Sequence, residues 1–229
     1  MSRLAVLAEI GTPTSSNGRA WGLRRSDLEG LAAVREKLGE RRVVLVTGNE
    51  AAAPTVAVAL AGVAAAAGVA TVLVECDVER PRLAADLGLA AEPGLHEYLR
   101  WEATPADVVQ PLALAGSAAA PEVAALACVV AGRPGGSTRA LLGLGSFRHM
   151  TAKLRGAYGL VVLLGPPLEG AGGALDAAAA EADCSIAAMI ERPSRRVAKA
   201  NHEVLAWLQV PPLGAVVVTD GDDADAPGK

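Results

Sequence analysis

Aromatic side chains are scarce in this chain of 229 residues, which has three Trp, two Tyr and one Phe. Proteins that stack bases or sugar rings need aromatic surfaces, so the composition argues against single-stranded nucleic acid or carbohydrate as a ligand. An excess of basic residues is also missing, because 21 Lys and Arg face 25 Asp and Glu, for a formal net charge of -4. A protein that binds nucleic-acid phosphates needs the opposite balance. We therefore predict no nucleic-acid partner.

Cysteine and histidine are few and isolated. The three cysteines, Cys76, Cys128 and Cys184, are far apart and form no C-x-x-C pair, and the three histidines stand alone. This pattern predicts buried thiols in a reducing cytosol, and it predicts no metal site. The apolar run at the N-terminus is too short for a signal peptide. We therefore expect a cytoplasmic protein.

One uncharged stretch, residues 51–74, is long enough to cross a bilayer. It consists largely of Ala and Gly, which gain little from lipid, and it contains Pro54 and Gly68. A helix followed by a buried strand explains it better than a membrane span. We expect no membrane span in this chain.

Apolar segments alternate with helical patterns along most of the sequence. The predicted strands are 43–47, 71–75, 126–131, 160–164, 185–190 and 214–218, and the predicted helices are 27–38, 54–67, 83–87, 94–100, 147–155, 175–182 and 195–208. Uniformly apolar strands between helices are typical of a parallel sheet covered on both faces. We predict an α/β fold with a doubly wound, mainly parallel sheet. It forms one domain over 26–219, after an N-terminal arm at 1–25 and before a disordered acidic tail at 220–229.

The loop after the first predicted strand has the placement of a phosphate-binding loop, since it joins a strand to a helix N-terminus. In the P-loop pattern G-x-x-x-x-G-K-[ST], Gly48 and Thr55 match, but Ala53 replaces the second Gly and Pro54 replaces the Lys. Proline supplies neither a cation nor a backbone N–H, and the Cβ of alanine crowds a positive φ. As an ATP site this loop is compromised.

Seven further segments of the sequence give a second indication of fold and function. They are VLVECDVERP (72–81), LGLAAEPGLHEYLR (87–100), PADVVQP (105–111), VVAGRP (129–134), LLGLGSF (141–147), YGLVVLLGPP (158–167) and LGAVVVT (213–219). In this order they resemble the cytoplasmic tyrosine kinases of bacterial polysaccharide export, the BY-kinase family, which are relatives of the MinD/ParA P-loop ATPases. The resemblance covers residues 26–219 and implies a P-loop NTPase-like fold.

The resemblance also implies roles for single positions. Thr55 matches the hydroxyl that binds Mg²⁺, and Glu75 and Asp77 match the two carboxylates of the second acidic motif. Leu164 stands where the family has the Walker B Asp. The implied site is therefore a vestigial nucleotide loop with vestigial Mg²⁺ positions at Thr55 and Asp77, and its residues are Gly48, Ala53, Pro54, Thr55, Glu75 and Asp77. Whether Glu75 and Asp77 still bind a metal, or only cap loops and pair with Arg80 or Arg82, stays open at this point.

Self-association in the family uses an E-x-x-R-x-x-R helix, in which Glu29 and Arg35 match and Ala32 replaces the middle Arg. The C-terminal tyrosine cluster that the family autophosphorylates is absent, and the two tyrosines, Tyr98 and Tyr158, lie inside the predicted fold. A basic group at Arg192, Arg195, Arg196 and Lys199 favours a solvated helix face over an anion or partner contact.

The leading hypothesis is a catalytically inactive, regulatory or scaffolding member of this family in cell-envelope polysaccharide biosynthesis or export. It needs no cofactor, and its partners are proteins, among them a membrane polysaccharide co-polymerase subunit or further copies of the chain at the inner face of the membrane. The alternative is an active ATP-binding tyrosine kinase or ATPase that uses ATP and Mg²⁺, with Arg80, Arg82 or an Arg from a partner protein in place of the missing Lys. A third hypothesis keeps nucleotide or anion binding as a switch without chemistry.

Overall fold

An eight-stranded sheet forms the centre of the computed structural model, which describes residues 4–12, 14–15, 21–22, 25–112, 126–169, 172–190, 194–208 and 210–219. The strands are β1 (Val6–Gly11), β2 (Thr14–Ser15), β3 (Trp21–Gly22), β4 (Val43–Gly48), β5 (Thr71–Glu75), β6 (Gln110–Pro111), β7 (Leu126–Val129), β8 (Leu160–Leu164), β9 (Cys184–Ile190) and β10 (Pro212–Thr219). The helices are α1 (Arg25–Leu38), α2 (Ala52–Ala66), α3 (Leu83–Leu87), α4 (Leu95–Leu99), α5 (Pro105–Val108), α6 (Thr138–Leu142), α7 (Gly145–Ala157), α8 (Gly172–Ala179) and α9 (Arg195–Trp207).

The strand order in the main sheet is β1-β10-β9-β4-β8-β5-β7-β6, and every pairing is parallel except that of β6 with β7. Strands β2 and β3 form a separate antiparallel pair. Parallel neighbours need long crossover connections, and helices supply them here. The predicted doubly wound α/β fold is confirmed.

Apolar clusters cover both faces of the sheet, and a smaller cluster lies beneath α9. Val44 and Val46 of β4 point into the core beneath α1 and α2, while Val43 and Leu45 point into the core beneath α4, α7 and α8. This alternation follows from the period of two in a strand. It explains why β4 is apolar at consecutive positions, since both of its faces are buried.

The uncharged stretch at 51–74 is a core helix and a core strand. Helix α2 is buried along nearly its whole length, because its Ala and Gly residues let it lie close to the sheet. Strand β5 follows and is buried throughout. Within the described part of the chain, no helix combines the length and the apolarity that a bilayer crossing requires.

The structure differs from the sequence-based boundaries at the N-terminal side. Residues 1–25 were expected to form an arm, but they contain β1, which pairs in parallel with β10 at the edge of the main sheet. Helix α2 begins at Ala52 instead of Pro54. The predicted disordered tail at 220–229 lies outside the described residues.

Candidate functional site

Three neighbouring strands, β4, β8 and β5, end at one edge of the sheet, and the loops that follow them form a narrow cleft. The predicted site residues Ala53, Pro54, Glu75 and Asp77 line this cleft, and they are joined by Glu50, Arg80, Arg82, Leu164, Gly165 and Pro167. The cleft has a volume of about 30 Å³. This volume holds about one water molecule, and a larger cavity of about 570 Å³ adjoins the cleft at Glu50, Arg80 and Pro167.

Gly48 is the last residue of β4 and holds the start of the following loop against β9. Its φ is +140°, and a Cβ at this position would lie 2.0 Å from the carbonyl oxygen of Ala188 on β9. The carbonyl of Gly48 accepts a hydrogen bond from the N–H of Leu168 at 3.1 Å, and the N–H of Asn49 donates to the oxygen of Ala188 at 2.8 Å. Only glycine fits this close approach between the loop and β9.

Asn49 accepts hydrogen bonds from the backbone at the start of α2. Its side-chain oxygen accepts hydrogen bonds from the N–H groups of Ala51 at 2.9 Å and Ala52 at 3.3 Å, and its backbone oxygen accepts from the N–H of Ala53 at 2.9 Å. The side chain thus caps the helix N-terminus, which explains why α2 begins before Pro54. The three N–H groups before Pro54 donate within the loop, and Pro54 itself has none.

Sequence reasoning missed the role of Asn49. A phosphate-binding loop works because its N–H groups point at the ligand. Here Asn49 provides an acceptor for two of these groups. Asn49 lies three residues before Ala52, and an Asn near a helix start is a recognised capping signal that could have been found in the sequence.

Glu75 ends β5 and is 1% exposed. Its Oε1 accepts from the N–H groups of Arg82 at 2.6 Å and Leu83 at 2.9 Å, and its Oε2 accepts from the N–H of Ala131 at 3.0 Å. Burial raises the pKa of this carboxyl, while the three hydrogen bonds lower it in part. The contacts tie β5 to the start of α3 and to the residues after β7.

Asp77 lies two residues further on and is also buried. It accepts from the N–H of Glu79 at 3.2 Å and from the hydroxyl of Thr138 at 3.4 Å. Arg80 donates to its Oδ2 through Nε and Nη2, both at 3.1 Å. Of the two interpretations left open by the sequence, these contacts match the one in which the carboxylates cap loops and pair with arginine.

Arg80 also reaches the loop after β4. Its Nη1 lies 3.7 Å from Oε2 of Glu50, and the Nη1 of Arg82 donates to the backbone oxygen of Glu50 at 3.3 Å. The three side chains Glu50, Arg80 and Asp77 therefore form a bridge across the cleft. We refer to it as the Glu50–Arg80–Asp77 bridge.

Leu164 occupies the end of β8, between Val46 and Glu75 in the sheet register. It is 5% exposed and places an alkyl group in the cleft at the position where the resemblance expects a carboxylate. Thr55, the expected Mg²⁺ ligand, is buried on α2. Within the described ranges, no cluster of three or more His, Cys, Asp or Glu is arranged to hold a metal ion.

The remaining predicted residues lie away from the cleft. Glu29 and Arg35 are both on α1, with Glu29 exposed and Arg35 partly buried. Cys76, Cys128 and Cys184 are free and buried, as expected. Burial raises the pKa of each of these thiols above its usual range, which keeps them protonated.

Solved structures of bacterial tyrosine kinase domains share this fold. The kinase domain of the Escherichia coli tyrosine kinase ETK has a TM-score of 0.78 and 17% identity, over 99% of this chain and 95% of that chain. The chimerical protein CapA2B2 has a TM-score of 0.75 and 18% identity, over 94% of both chains. MinD from Pyrococcus horikoshii in complex with Mg-ADP has a TM-score of 0.58 and 17% identity, over 77% of this chain and 69% of that chain.

These neighbours confirm, at the level of the fold, the resemblance that the sequence motifs indicated: the chain has the P-loop NTPase-like architecture of bacterial tyrosine kinase domains and MinD-type ATPases. No protein-family model matches the sequence. No curated protein matches it either. The similarity therefore rests on the fold and on the order of the sequence motifs.

Proposed function

We propose that this chain is a non-catalytic protein on a BY-kinase-like scaffold, and that it acts by binding other proteins. The observation that carries the proposal is the engagement of the loop N–H groups: those of Ala51 and Ala52 donate to the side chain of Asn49, and that of Ala53 donates to its backbone. Pro54, at the position of the P-loop Lys, adds neither a donor nor a charge.

The charges around the cleft support the same proposal. Phosphoryl transfer depends on positioning and on neutralising the charge of the phosphates and the metal, so the protein must supply free cations and metal-binding acids. Here Arg80 is engaged with Asp77 and Glu50, and Leu164 supplies no carboxylate. Loss of one such electrostatic contribution costs on the order of 3 kcal/mol in a transition state, so two losses make turnover very slow.

The biological setting in this proposal rests on the resemblance. Bacterial tyrosine kinases of this type serve polysaccharide export, so we place the chain as a regulatory or scaffolding component of cell-envelope polysaccharide assembly. Its partners in this proposal are protein subunits of that machinery, including a membrane subunit at the cytoplasmic face.

One observation favours the alternative of an active ATP-dependent tyrosine kinase. Arg80 and Arg82 both line the cleft beside Pro54, so either guanidinium stands near the place of the missing Lys. In that case ATP binding breaks the Glu50–Arg80–Asp77 bridge and releases Arg80 to the phosphates.

Calorimetry with ATP and Mg²⁺ tests the proposal. We expect no micromolar binding by the wild-type chain and no phosphate release, with the ETK kinase domain as the positive control. The double variant Ala53→Gly/Pro54→Lys restores the P-loop residues, and we expect it to gain nucleotide affinity over the wild type, whereas Ala53→Gly alone does not.

Three results separate the hypotheses. Self-phosphorylation by the wild-type chain that is lost in Glu75→Gln/Asp77→Asn establishes the kinase and ends the proposal. ATP that raises the melting temperature without being consumed indicates the switch without chemistry. Absence of binding, hydrolysis and self-phosphorylation supports the scaffold.

A further inference from the structure

Helix α9 carries an exposed apolar stripe. Val197 is 46% exposed, Val204 41% and Trp207 86%, and the exposed Ala200 lies between them. The spacings of three, four and three residues place these side chains on one face of the helix. A neighbouring face of the helix packs on the sheet, where Leu205 is fully buried.

The stripe borders two cavities that adjoin at Leu168. The first, of about 490 Å³, lies between α8 and α9, and its apolar lining includes Leu175, Leu208 and Trp207. The second, of about 570 Å³, lies between the start of α9 and the loop after β4. Its apolar lining includes Met189, Ile190 and Val197, and its polar lining includes Asn49 and Arg80 of the candidate site. We call the two cavities together the α9 groove.

Acidic side chains border this groove. Asp176 and Glu203 line the first cavity, and Glu50 and Glu169 line the second. All four residues are exposed. Glu169 and Asp176 form no ion pair with any other described residue, and Glu203 pairs with Lys199 at 3.6 Å on the surface, a type of contact worth little in water.

The basic charge in the groove is small. Among the described residues that line the two cavities, Arg80 is the one basic side chain, and it is engaged with Asp77 and Glu50. The groove lining therefore combines apolar side chains with four acidic side chains against one basic side chain, and the exposed Arg196 and Lys199 of α9 lie outside this lining. Such a surface complements a ligand that has an apolar face and positive charges at its edges.

We propose that the α9 groove binds a basic amphipathic helix of a partner protein. The stripe from residue 197 to residue 207 is about 15 Å long at a rise of 1.5 Å per residue, which matches about three turns of a partner helix. Apolar side chains at i, i+3, i+4 and i+7 of that helix lie on the groove floor, as in other helix-in-groove complexes. Lys or Arg side chains on its flanks meet the acidic rim. Trp207 is the anchor, since large aromatic residues dominate the energy of such contacts.

This inference rests on the proposal that the chain acts through protein contacts, and its test uses no nucleotide. The probe is a fluorescein-labelled synthetic peptide of about 18 residues, long enough to hold a helix, with Leu at i, i+3, i+4 and i+7 and Lys on the flanks. A matched peptide carries Glu in place of Lys, and a scrambled peptide has the composition of the first. Binding to the full chain is followed by fluorescence anisotropy.

We expect the basic peptide to bind and the other two to bind at least about tenfold more weakly, because the acidic rim selects for charge and the floor selects for the helical stripe. Trp207→Ala should lower the affinity for the basic peptide by about tenfold or more. The control Trp101→Ala removes another exposed tryptophan, 73% exposed after α4, and should change nothing. The double variant Glu169→Lys/Asp176→Lys should reverse the preference towards the acidic peptide.

Several outcomes overturn the proposal: no binding of the basic peptide, equal binding of the basic and acidic peptides, or full binding by Trp207→Ala. Sedimentation that shows a dimer abolished by Trp207→Ala assigns the groove to a second copy of the chain instead. Binding to anionic phospholipid vesicles that needs Trp207 assigns it to a membrane surface. Each of these results leaves the ATP measurement unaffected, so failure of this inference is distinct from failure of the proposed function.

Discussion

The guanidinium of Arg80 contacts Oδ2 of Asp77 through two nitrogens, Nε and Nη2, each at 3.1 Å. Asp77 is the carboxylate that the resemblance assigns to Mg²⁺. An arginine three residues along the chain thus supplies the positive charge that a metal would supply in an active relative. The same arginine reaches Glu50 across the cleft, so the pair links the loops that follow β4 and β5.

Removal of Arg80 should destabilise the fold. In Arg80→Ala the buried Asp77 keeps its bonds from Glu79 and Thr138 but loses its charged donor. We expect a loss of about 1–2 kcal/mol in the free energy of unfolding. This is less than the loss expected for a fully buried ion pair, because Arg80 is partly exposed. Urea denaturation measures it.

Arg100→Ala is the matched control for this experiment. Its partner Glu102 lies at 2.9 Å, but both side chains are substantially exposed, so we expect little or no change in the free energy of unfolding. Equal losses in the two variants would show that the Arg80–Asp77 pair behaves as an ordinary surface ion pair.

Much of the central sheet could be predicted from the sequence. Strands β5 and β8 and helix α3 have the predicted bounds, 71–75, 160–164 and 83–87, because each apolar run is bounded by residues that end an element. Strand β1 was missed. Its segment VLAEIG is short and mixes apolar with exposed residues, and its pairing with β10 joins residues about two hundred positions apart, which no local pattern reports.

The candidate site was predicted in position but not in its contacts. The order of strands and motifs was enough to bring Glu75 and Asp77 to the edge where the loop after β4 lies. The partners of Glu75 come from two other segments, at Leu83 and Ala131. Their distance from Glu75 depends on the folded loops, so these hydrogen bonds could not be predicted from the sequence.

The raised pKa of Glu75 gives a prediction about pH. Its folded-state pKa lies above the ordinary value of 4.5, with burial as the main cause. The stability that this group contributes is therefore fully present below about pH 4.5 and is lost as the pH rises through the raised folded value. In Glu75→Gln this titration is removed. We expect the difference in unfolding free energy between wild type and Glu75→Gln to shrink from pH 4 to pH 8.

A constant loss should accompany this change at every pH. In Glu75→Gln the new side-chain amide nitrogen faces one of three backbone donors, and an unsatisfied buried donor costs about 1–3 kcal/mol. Glu36→Gln, at an exposed position on α1, controls for general charge effects. If the difference instead grows with pH, the three N–H bonds outweigh burial and the pKa of Glu75 is lowered.

The cap formed by Asn49 should be worth a measurable part of the stability of the loop. Asn49→Ala removes the acceptor for the N–H groups of Ala51 and Ala52, and loss of an N-terminal cap costs about 1 kcal/mol. Asn49→Asp keeps a side-chain oxygen and places a negative charge at the N-terminus of α2, which the helix dipole favours. We therefore expect Asn49→Ala to lower the free energy of unfolding and Asn49→Asp to retain it. Asn201→Ala, at a half-buried residue that makes no side-chain hydrogen bond within the described chain, is the control, and a loss in Asn201→Ala as large as that in Asn49→Ala would contradict the role of the cap.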